Sequence, residues 1–265
     1  MKINLPVTGR NVDFAPDANI LSTTDLKGAI TYANKDFIDI SGYGREELLG
    51  SPHNLLRHPD MPPEAFEHLW ATLKGGNSWM GMVKNRCKNG DHYWVSAYVT
   101  PVTRNGQAVE YQSIRTKPSA HQIERAERAY TRMRNPRSSL RQLTPVLGLK
   151  TQLWLMLAAL MTLVLGAGTW LAAFSPWLAL LALGAGLALG GVGMHLLLRP
   201  LDRITQRARR IGDNPLGQRI YAGRSDELGQ IEFAFQMLEA QVGAVVGRIG
   251  DASQRLAGHA AELVE

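Results

Sequence analysis

The sequence predicts a multidomain chain: a small α+β domain with a five-stranded antiparallel sheet and short helices, a two-helix transmembrane hairpin, and an all-α coiled-coil bundle. Three observations carry this. Residues 18–118 run in short stretches of alternating apolar and polar residues, broken by turn signals and nearly balanced in charge, with 13 basic and 12 acidic residues over 1–118. Residues 151–198 hold 48 positions without Asp, Glu, Lys or Arg. From Leu228 onward, apolar residues recur in a three-four alternation.

In the first domain, Ile20–Thr24 and Ala29–Tyr32 flank Asp25-Leu26-Lys27-Gly28 as a hairpin. Lys35–Ser41 and Glu46–Leu49 carry helical spacing, and Pro52, Pro59, Pro62 and Pro63 then impose irregular chain before a helix over Pro63–Leu73. Three further strands, Trp79–Cys87, Asp91–Thr100 and Val109–Thr116, are joined by turns containing Asn89-Gly90 and Asn105-Gly106. The boundaries read as 1–118 for this domain, 119–150 for a basic linker with a helix over Ala120–Arg134 broken by Pro136, and 151–198 for the hairpin.

Each half of the hairpin, Leu153–Phe174 and Trp177–Leu198, reaches about 33 Å as a helix, against a hydrocarbon core of about 30 Å. Ser175 and Pro176 make the turn among Trp170, Phe174 and Trp177, rings that favour the headgroup level. Arg134, Arg137, Arg141 and Lys150 precede the first span, and Arg199, Arg203, Arg207, Arg209 and Arg210 follow the second. The positive-inside rule then places both termini in the cytoplasm, in a multi-pass membrane protein. Anionic lipid accounts for these cations, so no nucleic-acid partner is expected. Gly186 and Gly190 stand at GxxxG spacing, open to packing within the hairpin or between protomers. His195 is read as interfacial. The polar N-terminus shows no signal peptide, and the lone Cys87 excludes a disulfide framework or a multi-Cys metal site.

After the membrane, Arg199-Pro200-Leu201-Asp202 begins a helix, Gly212 to Gly217 break it, and Ser225-Asp226-Glu227-Leu228-Gly229 starts a second one with acids in its first turn. Leu228, Ile231, Phe235, Leu238, Val242, Val245, Ile249, Ala252, Leu256 and Leu263 keep a period of seven, as in a coiled-coil seam. This stretch, 199–247, resembles the HAMP module of bacterial transmembrane signalling proteins, and 248–265 reads as the start of a coiled-coil signalling helix. The resemblance implies a homodimer through HAMP and coiled coil; a plain dimerisation coil is the simpler alternative. The heptads run to Glu265 without a stop signal, so a downstream output module is expected.

The order strand, strand, short helices, three strands resembles the PAS fold. The residues agree: Thr24-Asp25, Gly28, Ile30, Tyr32 and Asn34, then Phe37, Ile40-Ser41-Gly42-Tyr43, Glu46 to Gly50, and Asn89-Gly90 before Tyr93-Trp94. Leu56-Arg57-His58-Pro59-Asp60-Met61-Pro62, Gly76-Asn77-Ser78-Trp79 and Lys84-Asn85-Arg86 are similar to the aerotaxis receptor family, whose PAS domain binds FAD. The family also shares the order PAS, two-span hairpin, HAMP, ahead of a domain that controls a chemotaxis histidine kinase with its coupling protein.

For an FAD, Trp70 and Trp79 offer stacking faces, Asn85 both a donor and an acceptor, Arg57 a bidentate fork for pyrophosphate and His58 a second donor. The resemblance adds Ser22, Asn34, His53 and Asp60. Plainer readings stay open: Trp70 as core packing, Asn34 as a helix cap, Asp60 as a partner of Arg57. A metal at His53, His58 and Asp60 lacks a fixed ligand spacing, and no GxGxxG is present. A light-sensing flavin PAS domain carries an adduct-forming Cys just after Gly50; that place falls near His53 here, so such photochemistry is not expected. No catalytic residues are assigned, and the chain reads as a sensor without enzymatic turnover. The alternative is the PAS-HAMP input half of a sensor histidine kinase with another ligand or none.

Overall fold

The computed structural model describes residues 3–134, 148–172, 176–211, 220–224 and 226–262. The first domain contains β1 (Ile20–Thr24), β2 (Ile30–Ala33), α1 (Lys35–Ser41), α2 (Arg45–Leu48), a 3₁₀ turn (His53–Leu56), α3 (Pro63–Lys74), β3 (Trp79–Arg86), β4 (His92–Arg104) and β5 (Gln107–Thr116). All pairings are antiparallel, in the order β2-β1-β5-β4-β3. These elements match the sequence expectation, with boundaries displaced by a few residues. α3 has proline at its first turn, where the missing N–H costs no ladder bond.

Residues on β3 and in the middle of β5 are buried on both faces, because helices cover both sides of the sheet. Inside lie α1, the 3₁₀ turn and α3. Outside, α4 (Ala120–Arg134) stacks Tyr130 on Trp94 at 6.2 Å and donates the Tyr130 hydroxyl to the Met82 carbonyl at 2.6 Å. The N-terminal segment straps β3 and β4: Thr8 N–H donates to the Gly90 carbonyl, Val12 N–H to the His92 carbonyl, and Arg10 pairs with Asp91.

The apolar hairpin forms α5 (Leu149–Ala172) and α6 (Pro176–Ile211), both long and apolar enough to cross a membrane. Arg137, Arg141 and Ser175 lie outside the described residues, as do Gly212 to Gly217, Ser225 and Leu263. Side chains at Gly186, Gly190 and Gly191 would run into Met161, Leu157 and Trp154 of α5. These three glycines thus make room for α5 within the hairpin.

Two expectations are corrected. α6 does not restart at Pro200 but runs through it. A proline removes one N–H, and at the membrane exit the carbonyl one turn earlier can be hydrated instead. The second concerns α7 (Glu227–Glu262): it carries two apolar stripes rather than one seam. Phe233, Met237 and Ala240 pack into the core with Ile220 and Tyr221, whereas Phe235, Leu238, Val242, Val245 and Ile249 face outward.

Candidate functional site

The interior face of the sheet opens on a cleft enclosing about 930 Å³, open solvent included. Strand alternation builds its floor: Trp79, Val83 and Asn85 from β3, Ala97 and Val99 from β4, and Tyr111, Ser113 and Arg115 from β5. α3 closes one side with Phe66, Leu69, Trp70 and Leu73, and the 3₁₀ turn supplies His53 and Arg57. A side chain at Gly81 would collide with the Trp79 ring, so glycine lets the indole lie along the strand. Trp79 Nε1–H donates to His68 Nδ1 at 3.0 Å, which fixes the ring, and Trp70 meets Tyr111 edge-on at 5.7 Å.

The cleft is apolar and aromatic with two arginines and no acid among its lining residues. Arg115 is 3% exposed and makes no salt bridge among the described residues. One guanidinium nitrogen donates to Ser22 Oγ at 3.0 Å, and another lies 2.6 Å from His53 Nε2. Burial pushes Arg115 down to about 10, which leaves it charged at neutral pH. Burial and the Arg115 cation push His53 down to about 3, so its imidazole is neutral and its Nε2 accepts from the guanidinium. Arg57 lies over Phe66 at 4.2 Å and donates to the Met61 carbonyl. The Asn85 carboxamide meets the Tyr93 hydroxyl across the β3–β4 pair, and two buried polar atoms of the lining, Ser113 Oγ and Arg57 Nε, have no protein partner. Buried polar groups are ordinarily satisfied, so these mark places for ligand contacts.

Of the nine residues expected here, His53, Arg57, Trp70, Trp79 and Asn85 come together in the cleft. Four do not line it. Ser22 touches it only through Arg115. Asn34 caps α1: its Oδ1 accepts from Phe37 N–H at 3.1 Å and from Leu21 N–H at 3.0 Å. His58 is buried against His92 behind β3, its Nδ1 accepting from Asp60 N–H, and desolvation pushes it down to about 4. Asp60 turns toward α4, taking Lys84 Nζ and Arg134 Nη1 at 2.8 Å each rather than Arg57. Its carboxyl is held below the usual range by Lys84, against the opposing effect of burial. Cys87 is buried and donates to the Ile40 carbonyl, away from the cleft. No group of three or more metal-ligating side chains occurs among the described residues.

Sequence reasoning missed Arg115, Tyr111 and Ser113. Their i, i+2 spacing is a strand signal, but both faces of β5 are covered and the neighbours are buried too, so alternation alone does not say which parity faces the cleft.

The outer face of the same sheet receives the segment after the membrane. Ser96 Oγ and the Tyr221 hydroxyl are 2.9 Å apart, Arg125 donates to the Tyr221 carbonyl at 2.7 Å, and Tyr221 meets Phe233 at 5.8 Å. Ser96 neighbours Ala97 on β4, so the cleft and this contact are separated by one sheet.

Comparison with known proteins agrees with this architecture. A PAS fold family model matches residues 30–115 and a HAMP domain model residues 192–238. The aerotaxis receptor of Escherichia coli (strain K12) is 34% identical over 95% of this chain and 53% of its own length. The nitrogen fixation regulatory protein of Klebsiella pneumoniae is 35% identical over 31% of this chain and 17% of its own. A solved light-oxygen-voltage domain structure is 24% identical, covering 38% of this chain and 78% of that one at a TM-score of 0.37. The chain spans about half the length of the aerotaxis receptor it matches. It carries a PAS fold and a HAMP domain, and it is a homologue of the aerotaxis receptor along 95% of its length.

Proposed function

We propose that the cleft holds FAD and that the chain is the input part of a membrane-anchored receptor for redox or oxygen taxis. The observation that carries this reading is a slot of aromatic and apolar walls with two arginines, no acid and unpartnered buried polar atoms at Ser113 and Arg57. Such a lining suits a planar, electron-accepting aromatic ring with an anionic tail. FAD, when bound, supplies the redox couple. Trp70 and Trp79 offer ring faces, Arg57 stands at the cleft edge for pyrophosphate, and Arg115 offers a fixed cation to a ring edge that gains negative charge. Asn85 is the group able to register such a change, since rotating its carboxamide exchanges a donor for an acceptor.

From Asn85 on β3, the sheet leads through β4 to the contact of Ser96 with Tyr221 and so to α7. A ligand shifts an equilibrium only by its differential affinity for two states, and a few kcal/mol suffices here. The outward stripe on α7 fits a second copy in a parallel HAMP bundle, and the packing of that bundle is the signal handed to a chemotaxis kinase and its coupling protein. In this reading the hairpin sits in the bacterial inner membrane with both termini cytoplasmic, and the flavin senses without turnover of a substrate.

The test is the visible spectrum of the purified chain under air and then under anaerobic reduction, with the released cofactor identified by chromatography. FAD that bleaches reversibly is the expected result. A protein that stays colourless after incubation with FAD would sink the reading and leave a PAS-HAMP module with another stimulus.

A further inference from the structure

The Asp226-Glu227-Leu228-Gly229 motif divides its two acids between two helices. Asp226 serves its own: Oδ1 accepts from Gly229 N–H at 3.1 Å, three residues on, and the carboxylate pairs with Arg224. Gly229 has no room for a side chain, since a Cβ would lie 2.5 Å from the Arg224 carbonyl oxygen. With α7 capped in this way, Glu227 is free for another partner. Its Oε2 accepts from Leu149 N–H at 2.8 Å, the first residue of α5 and 78 positions away. A Cβ on Gly148 would come within 2.8 Å of Glu227 Oε1, which places the carboxylate tip directly against the start of α5. The Gln152 N–H to Gly148 carbonyl bond, at 3.1 Å, shows that α5 is helical from this point and that the Leu149 N–H is one of its unpaired end groups. One residue further, Lys150 pairs with Asp202 of α6.

We propose that Glu227 is the N-cap of the first membrane span, supplied from α7, and that with Lys150 and Asp202 it forms a clasp joining α5, α6 and α7 where the hairpin leaves the membrane. A carboxylate at a helix N-terminus answers both the free N–H groups and the positive end of the helix dipole. Sliding α7 by one residue moves the carboxylate about 1.5 Å along the helix axis, enough to lose the hydrogen bond. The clasp therefore makes the register of α7 against the first span a two-position coordinate, and the hairpin a fixed reference for the HAMP helices rather than a passive anchor. This does not rest on the flavin reading.

Hydrogen exchange at the start of α5, measured on the intact chain in lipid bilayers, tests the clasp. Glu227→Ala is expected to speed exchange of the Leu149 amide about fivefold or more, as loss of an N-cap does. Glu227→Gln, which keeps an acceptor oxygen, is expected to fall between that variant and wild type, and it carries the test if the alanine variant fails to insert. Glu232→Ala, an equal loss of charge on the exposed side of α7, should leave the amide unchanged. Unaltered exchange in both Glu227 variants, or an equal rise in Glu232→Ala, would overturn the proposal.

Discussion

Arg115 and Lys84 are both buried cations on the same sheet, 3% and 7% exposed, and they sit on opposite faces. On the outer face, Lys84 has Asp60 at 2.8 Å and Glu127 at 4.0 Å. On the inner face, Arg115 has the Ser22 hydroxyl, a neutral imidazole and the face of the Phe37 ring at 5.1 Å, with no acid in the cleft lining. A buried charge without a counter-charge is costly, so the two environments answer different requirements. On the outer face the lysine is paired within the protein, and the ion pairs of Asp60 with Lys84 and Arg134 tie its loop to β3 and α4. The inner face holds a positive potential that only a ligand would complement. The cleft and the docking face of α7 are thus separated by the thickness of one sheet.

The largest expected effect lies on the outer face. Tyr221→Ala removes a fully buried ring that joins the sheet to Phe233, and should weaken the docking of α7 by about 3 kcal/mol. Hydrogen exchange would then rise in α7 and along the outer side of β4, while cofactor retention stays as in wild type. Loss of the cofactor together with docking would erase the proposed division between faces.

Acidification comes next. His53 and His58 are pushed down to about 3 and 4, so both stay neutral in the folded domain while the unfolded chain takes up protons near pH 6.5. The unfolded state therefore binds more protons below that pH, and stability present above it is lost as pH falls from about 6.5 toward 4, at about 1.4 kcal/mol per pH unit for each histidine. Burial pushes His92 down as well, so thermal melts from pH 7.5 down to pH 5 read all three rings, and His53→Gln should lower the slope by about a third. A melting temperature independent of pH would show that these rings are not buried as described.

Replacing the two cations sharpens the contrast directly. Arg115→Gln should lower flavin retention by about tenfold or more, yet leave the empty domain as stable as before, because a charge without a counter-charge is removed. Lys84→Gln should do the reverse, destabilising the domain by about 1–2 kcal/mol while sparing the cofactor, since Asp60 loses its buried partner. Flavin absorbance per protein and chemical denaturation read the two quantities separately, and matching behaviour in both variants would refute the assignment of the faces. Asn85→Ala, the smallest change, deletes one carboxamide from the cleft lining and is expected to cost about 1 kcal/mol of flavin binding, or about fivefold in affinity.

Much of this was legible from the chain. Asn89-Gly90 announced the β3-β4 turn, the charge-free block announced two apolar helices, and the residues around Trp79 and Asn85 pointed to the cleft. The rest depended on partners far apart in sequence. Asn34 and Asp60 carry side chains able to meet a ligand, but local geometry commits the first to the α1 cap and Arg134, 74 positions away, helps commit the second to α4. Phe233 and Met237 were invisible as a second stripe because a heptad pattern reports one seam, while a helix packed between a partner and a sheet needs two.

The sequence by itself determined the elements, the membrane hairpin and the repeat of the last helix, because these follow from local periodicity, turn chemistry and the absence of charge. The tertiary structure alone decided which parity of β5 faces the cleft, that Arg115 is buried there without an acid, that the glycines of α6 pack on α5, and that Glu227 reaches the start of the first span. Each of these rests on which distant groups meet, and a linear pattern records spacing along the chain but not contact across it.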